Sequence, residues 1–253
     1  MQRLVGLVRR CVDDYNMILP GETVAVGVSG GKDSLALLTL LAALREYHPS
    51  GFRLEAFTID LGLPGMDFAP VEDYCRELQV PWHHIKTDIS AIIFEHRREK
   101  NPCAMCSKMR RGALSNAIRE AGIHKIALGH HYDDAVETFL LSLFYEGRIS
   151  CFEPVTYLDR TEVTQIRPML YIGERSIENL AKKLELPVVV NTCPADKHTK
   201  RQEVKELVEE LSARYPDLKT KVFGAMQRLP LPQWGVENRT RRPLPDVEDE
   251  LQP

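Results

Sequence analysis

The stretch Ser29-Gly30-Gly31-Lys32-Asp33-Ser34 limits what this chain can fold into more than any other. It follows an apolar run over residues 23–28 and precedes Leu35-Ala36-Leu37-Leu38-Thr39-Leu40-Leu41. That order reads as strand, glycine turn, helix. Adjacent glycines let the backbone turn tightly and bring its N–H groups close to a ligand. The helix that follows aims its positive end at the same spot. The spacing is neither that of the Walker loop nor that of the Gly-x-Gly-x-x-Gly dinucleotide turn. By its own chemistry the hexapeptide is a phosphate cradle. Lys32 supplies a point charge, Ser29 and Ser34 supply hydroxyl donors, and Asp33 is suited to hold Mg²⁺ or to act as a base. The competing reading is a tight turn whose Asp33 or Ser34 only caps the helix.

The rest of the chain repeats the alternation. Helices are expected over 2–17, 34–47, 68–79, 106–121, 133–145 and 174–185, and strands over 23–28, 53–59, 80–86, 125–129 and 187–190. Strands alternating with helices predict an α/β fold, a parallel five-stranded sheet covered on both sides. Ligands of such sheets lie beyond the carboxyl ends of the strands. Residues 29–34, Asp60, the segment Gly129-His130-His131-Tyr132-Asp133-Asp134, and Cys193 after the last strand all fall at that edge. The expected organisation is an N-terminal helix over 1–20, a nucleotide-binding catalytic domain over 21–199, helices over 200–229 and a proline-rich acidic tail over 230–253 without fixed structure.

Two further segments carry chemistry. In residues 129–134, two histidines and two acids invite a zinc reading, but adjacent histidines point apart at a strand end, and the bland reading is that Asp133 and Asp134 cap the next helix. Pro102-Cys103-Ala104-Met105-Cys106 is a C-x-x-C pair. If a helix starts at Pro102, the two thiols lie one turn apart on one face. Nearby Arg110 and Arg111 are then expected to lower the thiol pKa values. Together with Cys193 this makes three thiolates, enough for a [4Fe–4S] cluster with one open iron or for zinc with a fourth ligand. Two core cysteines or a redox pair are the other readings of C-x-x-C, and spacing alone leaves cluster and zinc open.

Composition removes some classes. Six cysteines are spread through a chain whose N-terminus is broken by Arg3, Arg9, Arg10, Asp13 and Asp14, which fits no secretion signal. Disulfides are therefore not expected. No apolar run is long enough to span a bilayer, so a cytoplasmic protein off the membrane is expected. The net charge of −3 hides an uneven distribution. The last eleven residues hold four acids and no base, and without them 33 bases face 32 acids. Basic groups cluster at Arg97, Arg98, Lys100, Lys108, Arg110 and Arg111, at Lys197, Lys200, Arg201 and Lys205, and at Arg239, Arg241 and Arg242. Such patches attract a polyanion to a nearly neutral protein, and the bland alternative is solvated helix faces.

Taken together, the loop at 29–34, Cys103 and Cys106 followed by Lys108-Met109-Arg110-Arg111-Gly112, residues 129–134, Arg167-Pro168, and Cys193 before Arg201-Gln202 resemble the pyrophosphate-loop ATPases over about residues 20–229. The resemblance is to their tRNA 2-thiolation branch, and within it to the 2-thiocytidine synthetases. It implies a Rossmann-like fold of the adenine nucleotide alpha hydrolase type. It implies ATP and Mg²⁺ bound by Ser29, Gly30, Gly31, Lys32, Asp33, Ser34, Asp60, Gly129, His130 and Asp134. It implies a [4Fe–4S] cluster on Cys103, Cys106 and Cys193, with Asp33, Arg110 and Asp133 at the catalytic edge. The acceptor implied is a tRNA pyrimidine whose C2 oxygen is adenylated and then replaced by sulfur. Sulfur would come from a cysteine desulfurase or from sulfide. Two departures stand out. Many 2-thiocytidine enzymes have a cysteine pair where this chain has Cys193 alone. The terminal zinc ribbons of the 2-thiouridine relatives are absent. Thiouridine synthesis, a lysidine-type ligase, or a sensor that binds nucleotide without catalysis are the competing readings. The N-terminal helix has two partners open to it, its own domain or a second copy in a homodimer.

Overall fold

The structure is a computed structural model and describes residues 1–96, 102–194 and 200–228. Arg97, Arg98, Lys100, Lys197, Arg239, Arg241, Arg242 and the tail over 230–253 lie outside the described residues.

Strands β1 (Thr23–Gly27), β2 (Arg53–Asp60), β3 (Trp82–Lys86), β4 (Lys125–Ala127), β5 (Val155–Leu158) and β6 (Val163–Ile166) form one sheet in the order β3-β2-β1-β4-β6-β5. β1, β2, β3, β4 and β6 run parallel, and β5 is antiparallel at the edge. The crossovers run outward in opposite directions from β1 and β4, so the switch point of the sheet lies between them. The α/β class read from the sequence holds, but the strand count needs correction. Among the described residues the sheet has six strands, and residues 187–190 are not one of them. The hairpin of β5 and β6 takes the place beside β4. The valine run stays outside the sheet, with Val188 and Val190 exposed and only Val189 half-buried.

The helices are α1 (Gln2–Asp14), α2 (Lys32–Arg45), α3 (Ala69–Glu77), α4 (Ile89–Ala91), α5 (Pro102–Glu120), α6 (Tyr132–Leu141), α7 (Glu174–Lys183), α8 (Lys200–Arg214) and α9 (Leu218–Arg228). π-helical turns extend α4 over Ile92–His96 and α6 over Ser142–Glu146. α2 is the centre of the molecule. Nearly every residue from Ser34 to Leu44 is buried, which fits a helix that is apolar all round. It lies between the sheet on one side and α1 and α7 on the other. One core joins Val5, Val8 and Val12 of α1, the leucines of α2, and Val204, Val208, Phe223 and Met226 of α8 and α9. The N-terminal helix thus finds its partner in its own chain. Its apolar stripe and the last two helices are sealed against the same α2 face of the sheet.

Candidate active site

The loop between β1 and α2 sits at the switch point. Gly30 turns with φ +84, and Gly31 is the N-cap of α2. The Ser34 hydroxyl ties the loop together: it donates to the Gly31 carbonyl at 2.9 Å and accepts from the Ser29 N–H at 3.1 Å. The Ser29 hydroxyl lies 3.2 Å away. A Cβ on Gly30 would sit 2.8 Å from Val189 Cγ2, and one on Gly129 would sit 3.2 Å from the Asp33 backbone. Both glycines are there because neighbouring chain passes too close for a side chain.

Above the loop lies a cavity of about 620 Å³ at the carboxyl edge of the sheet. The structure brings Ser29, Gly31, Asp33, Ser34, Arg110, Gly129, His130 and Asp134 to its wall. Apolar residues Phe57, Ile59, Leu63, Met66 and Phe68 form another part of the wall. Seven of the residues predicted from sequence stand off it, Gly30 among them. Asp60 turns away: its carboxylate accepts from the Gly62 N–H at 2.9 Å and lies 3.1 Å from His84 Nε2. Asp133 is buried with both oxygens engaged, one on the Glu174 N–H at 2.6 Å and one on Lys219 Nζ at 2.8 Å. That is a holding position, in contrast to the catalytic edge the sequence suggested. Lys32 points to Asp33 at 2.9 Å and Glu174 at 3.1 Å. Cys103, Cys106 and Cys193 lie beyond the wall, but their neighbours Ser107 and Asn191 line it.

His130 and Asp134 owe their setting to residues the sequence reading did not place in the site. Arg167, just past β6, is buried and held by Thr156 Oγ1 at 3.1 Å and Gln165 Oε1 at 3.3 Å. Its guanidinium lies over the Phe152 ring, 4.9 Å from the centroid, and that ring packs 4.9 Å from His130. Burial, helped by the Arg167 charge, pushes the His130 pKa down to about 4. The imidazole is therefore a neutral hydrogen-bonding group on the cavity wall. Asp134 accepts from the His131 N–H at 3.0 Å, the reciprocal half of a capping box, and from Arg201 at 3.1 Å. Arg167-Pro168 and Arg201-Gln202 were visible as motifs; what they contact was not.

The basic group at 200–205 changes meaning. Arg201 and Lys205 are ion-paired to Asp134 and Glu174, and Lys200 lies 4.5 Å over the Tyr145 ring. By contrast Lys108, Arg110 and Arg111 are exposed on α5.

α5 begins at Pro102, so Cys103 and Cys106 are one turn apart. None of the six cysteines is in a disulfide. Burial raises the Cys106 thiol, Arg110 draws it down, and Cys193 and Cys103 push it up again. The expected lowering of this thiol is overturned, because half-burial outweighs the arginine. Cys103 and Cys193 each lie within electrostatic reach of Cys106, and thiolates at these positions are soft donors whose repulsion a bound cation would relieve. Among the described residues no three His, Cys, Asp or Glu side chains already form a group spaced to hold a metal ion. The donor type fits a thiolate-bound metal centre, and Cys106 packs beside Ile59, Ile93, Met105 and Met109.

A doubly wound sheet with a glycine loop and helix N-terminus at its switch point defines a nucleotide-binding α/β protein of the phosphate-cradle kind. Residues 7–211 match the PP-loop domain family. Proteins named tRNA-cytidine(32) 2-sulfurtransferase are similar over most of the chain. That of Pelobacter propionicus is 39% identical over 90% of this chain and 86% of its own. That of Anaeromyxobacter dehalogenans is 36% identical over 97% and 85%. The chain belongs to the PP-loop family and, within it, to the family of these sulfurtransferase relatives. Among solved structures, the U34-tRNA thiolase NcsA from Methanococcus maripaludis with its [4Fe-4S] cluster matches with a TM-score of 0.71 at 24% identity, covering 87% of this chain and 76% of that one. That likeness shows the fold.

Proposed function

We propose that this chain is an ATP-dependent tRNA 2-sulfurtransferase that adenylates the C2 oxygen of a cytidine and replaces it with sulfur. One observation carries the reading. A single cavity has the 29–34 loop on one wall and Arg110 and Arg111, from the thiol-bearing helix α5, on another. Activation by ATP and delivery of sulfur therefore meet in one space. The sequence relatives support cytidine as the base.

Each residue then has a task. The backbone of 29–34 and the N-terminus of α2 hold the leaving pyrophosphate as its charge develops. Asp33 and Asp134, both on the wall, hold Mg²⁺. Neutral His130, braced by Phe152 and Arg167, orients a nucleotide or base oxygen without adding charge. Arg110 offsets negative charge between the phosphates and the thiols. Cys103, Cys106 and Cys193 would hold a [4Fe–4S] cluster, which supplies a site for the incoming sulfur when bound. Lys108 and Arg111 attract the tRNA backbone. The sulfur comes from free sulfide, or from a desulfurase persulfide together with a two-electron reductant.

The test is mass spectrometry of nucleosides from tRNA treated with anaerobically purified protein, ATP and sulfide. The expected product is 2-thiocytidine. Cys103→Ala and Cys193→Ala should lose the product and the bound iron while retaining ATP affinity. A colourless, zinc-loaded protein that still thiolates would remove the cluster from this account. Full activity in a variant lacking all three cysteines would favour a ligase of the lysidine type.

A further inference from the structure

Lys32 is the one cation inside the 29–34 loop, yet it does not line the cavity; its Nζ lies 2.9 Å from Oδ1 of Asp33, which does. Its Nζ lies 3.1 Å from Glu174 Oε1, 142 residues along the chain. Glu174 is the first residue of α7, with its side chain about one-fifth exposed. Its other oxygen accepts from Lys205 Nζ of α8 at 2.7 Å. Its backbone N–H is fixed by Asp133, which α9 holds through Lys219. Glu174 is therefore clamped from three elements between two ammonium groups. Burial alone would raise its carboxyl, but the hydrogen bonds from Lys205 and Lys32 hold it down to about 2.

We infer that Glu174 is a positioning residue that latches Lys32 away from the cavity, with Lys205 as the counter-ion that remains when Lys32 leaves. The inference rests on the reading of 29–34 as the pyrophosphate site. A lysine ammonium on a four-carbon stem with freely rotating bonds can exchange one anionic partner for another. When a phosphate-type anion reaches the loop, Lys32 leaves Glu174 for it. Glu174 is not left as a bare buried charge, because Lys205 still neutralises it. Without Lys205, releasing Lys32 would strand a half-buried carboxylate, which is costly. The latch thus makes the pull of Lys32 on the anion a difference between two pairings. It also ties that pull to α7 and α8.

Binding of inorganic pyrophosphate with Mg²⁺ to the full-length chain, by titration calorimetry, tests this. Glu174→Gln is expected to bind about two- to fivefold more tightly, the upper part of the range measured for one ion pair. Glu174→Asp, which draws the carboxylate back by one methylene, should tighten binding less. Lys205→Met should weaken it. A change in the general field at the loop would produce the same signs, so the deciding measurement is made on Lys32→Met. In that background the Glu174→Gln effect should vanish. A Glu174→Gln effect that persists without Lys32, or Glu174 variants that fold normally and bind no tighter than wild type, would overturn the latch. Wild-type protein that binds no pyrophosphate would instead overturn the assignment of the loop, and the latch with it.

Discussion

Gly30 carries the sharpest steric demand in the molecule's loop. Its φ of +84 is strained for any L side chain, and an added Cβ would press on Val189 at 2.8 Å. Gly30→Ala is expected to cost about 1–2 kcal/mol from the backbone alone. Displacement of Val189, whose N–H donates to the Gly30 carbonyl at 2.9 Å, adds to this. Chemical denaturation should show the loss, and pyrophosphate titration should show weakened binding. The demand for glycine was legible in the sequence. The reason for its severity was not, because Val189 arrives from a distant segment. Glu137 is a second case. It is buried on α6, and burial, reinforced by Asp134, raises its carboxyl to about 7. The folded protein therefore keeps a proton there that the unfolded chain releases near the ordinary glutamate value. Stability from this group is fully present below that value and is lost as pH rises through about 7. Glu137→Gln should gain stability relative to wild type as pH rises from 5 to 8, measured as the difference in denaturation midpoints. A difference that does not change with pH would refute it. Comparing the two chains matters, because His130, held down to about 4, acts in the opposite direction in the acid half of this window.

At the scale of elements, α2 sets both stability and the site. It carries Lys32, Asp33 and Ser34 in its first turn and buries Leu35, Leu37, Leu38, Leu40, Leu41 and Leu44 behind them. Leu38→Ala is expected to destabilise the protein by about 2–5 kcal/mol, as seen in denaturant unfolding. Because the loop is the start of this helix, pyrophosphate affinity should fall as well. The apolar run after the loop announced this helix plainly. Residues 187–190 show where a local signal fails. Three successive valines fit a strand, yet strand propensity describes a fit to a pleated, half-buried surface and does not choose the surface. The β5–β6 hairpin fills the edge beside β4, so Val189 closes over the loop and Val188 and Val190 face solvent. The C-x-x-C segment was read correctly as one helical face because its geometry depends only on the start of α5 at Pro102.

For the whole molecule, α8 and α9 are parts of the site's frame as well as of the core. Phe223 is buried, stacks 4.6 Å from Tyr132, and meets Tyr171 edge-on. Phe223→Ala should cost about 3–5 kcal/mol in unfolding experiments. It should also loosen Lys219 from Asp133, and so weaken ATP binding more than a surface change on α9 would. The RNA face is expected along α5. Changing Lys108 and Arg111 together to Ala should weaken tRNA binding and reduce the slope of log affinity against log salt by roughly 1–2 units. An unchanged slope would move the RNA to another face. Among the described residues, no helix is long and apolar enough to cross a membrane.

The sequence by itself determined the parts whose geometry is local. These are the glycine loop between strand and helix, the two thiols one turn apart, the alternation that makes a parallel sheet, and the sheet edge at which the cavity lies. Steric limits, helical periodicity and capping act over a few residues, so a few residues suffice to read them. Only the tertiary structure decided the partners. It set Lys32 on Glu174 in place of the cavity, buried Asp133 between Glu174 and Lys219, placed Arg167 behind His130, and brought Cys193 within reach of Cys106. Charges pair through space, and which of them meet depends on how α7, α8 and α9 pack around α2 and α6. No local rule in the loop encodes a carboxylate 142 residues away.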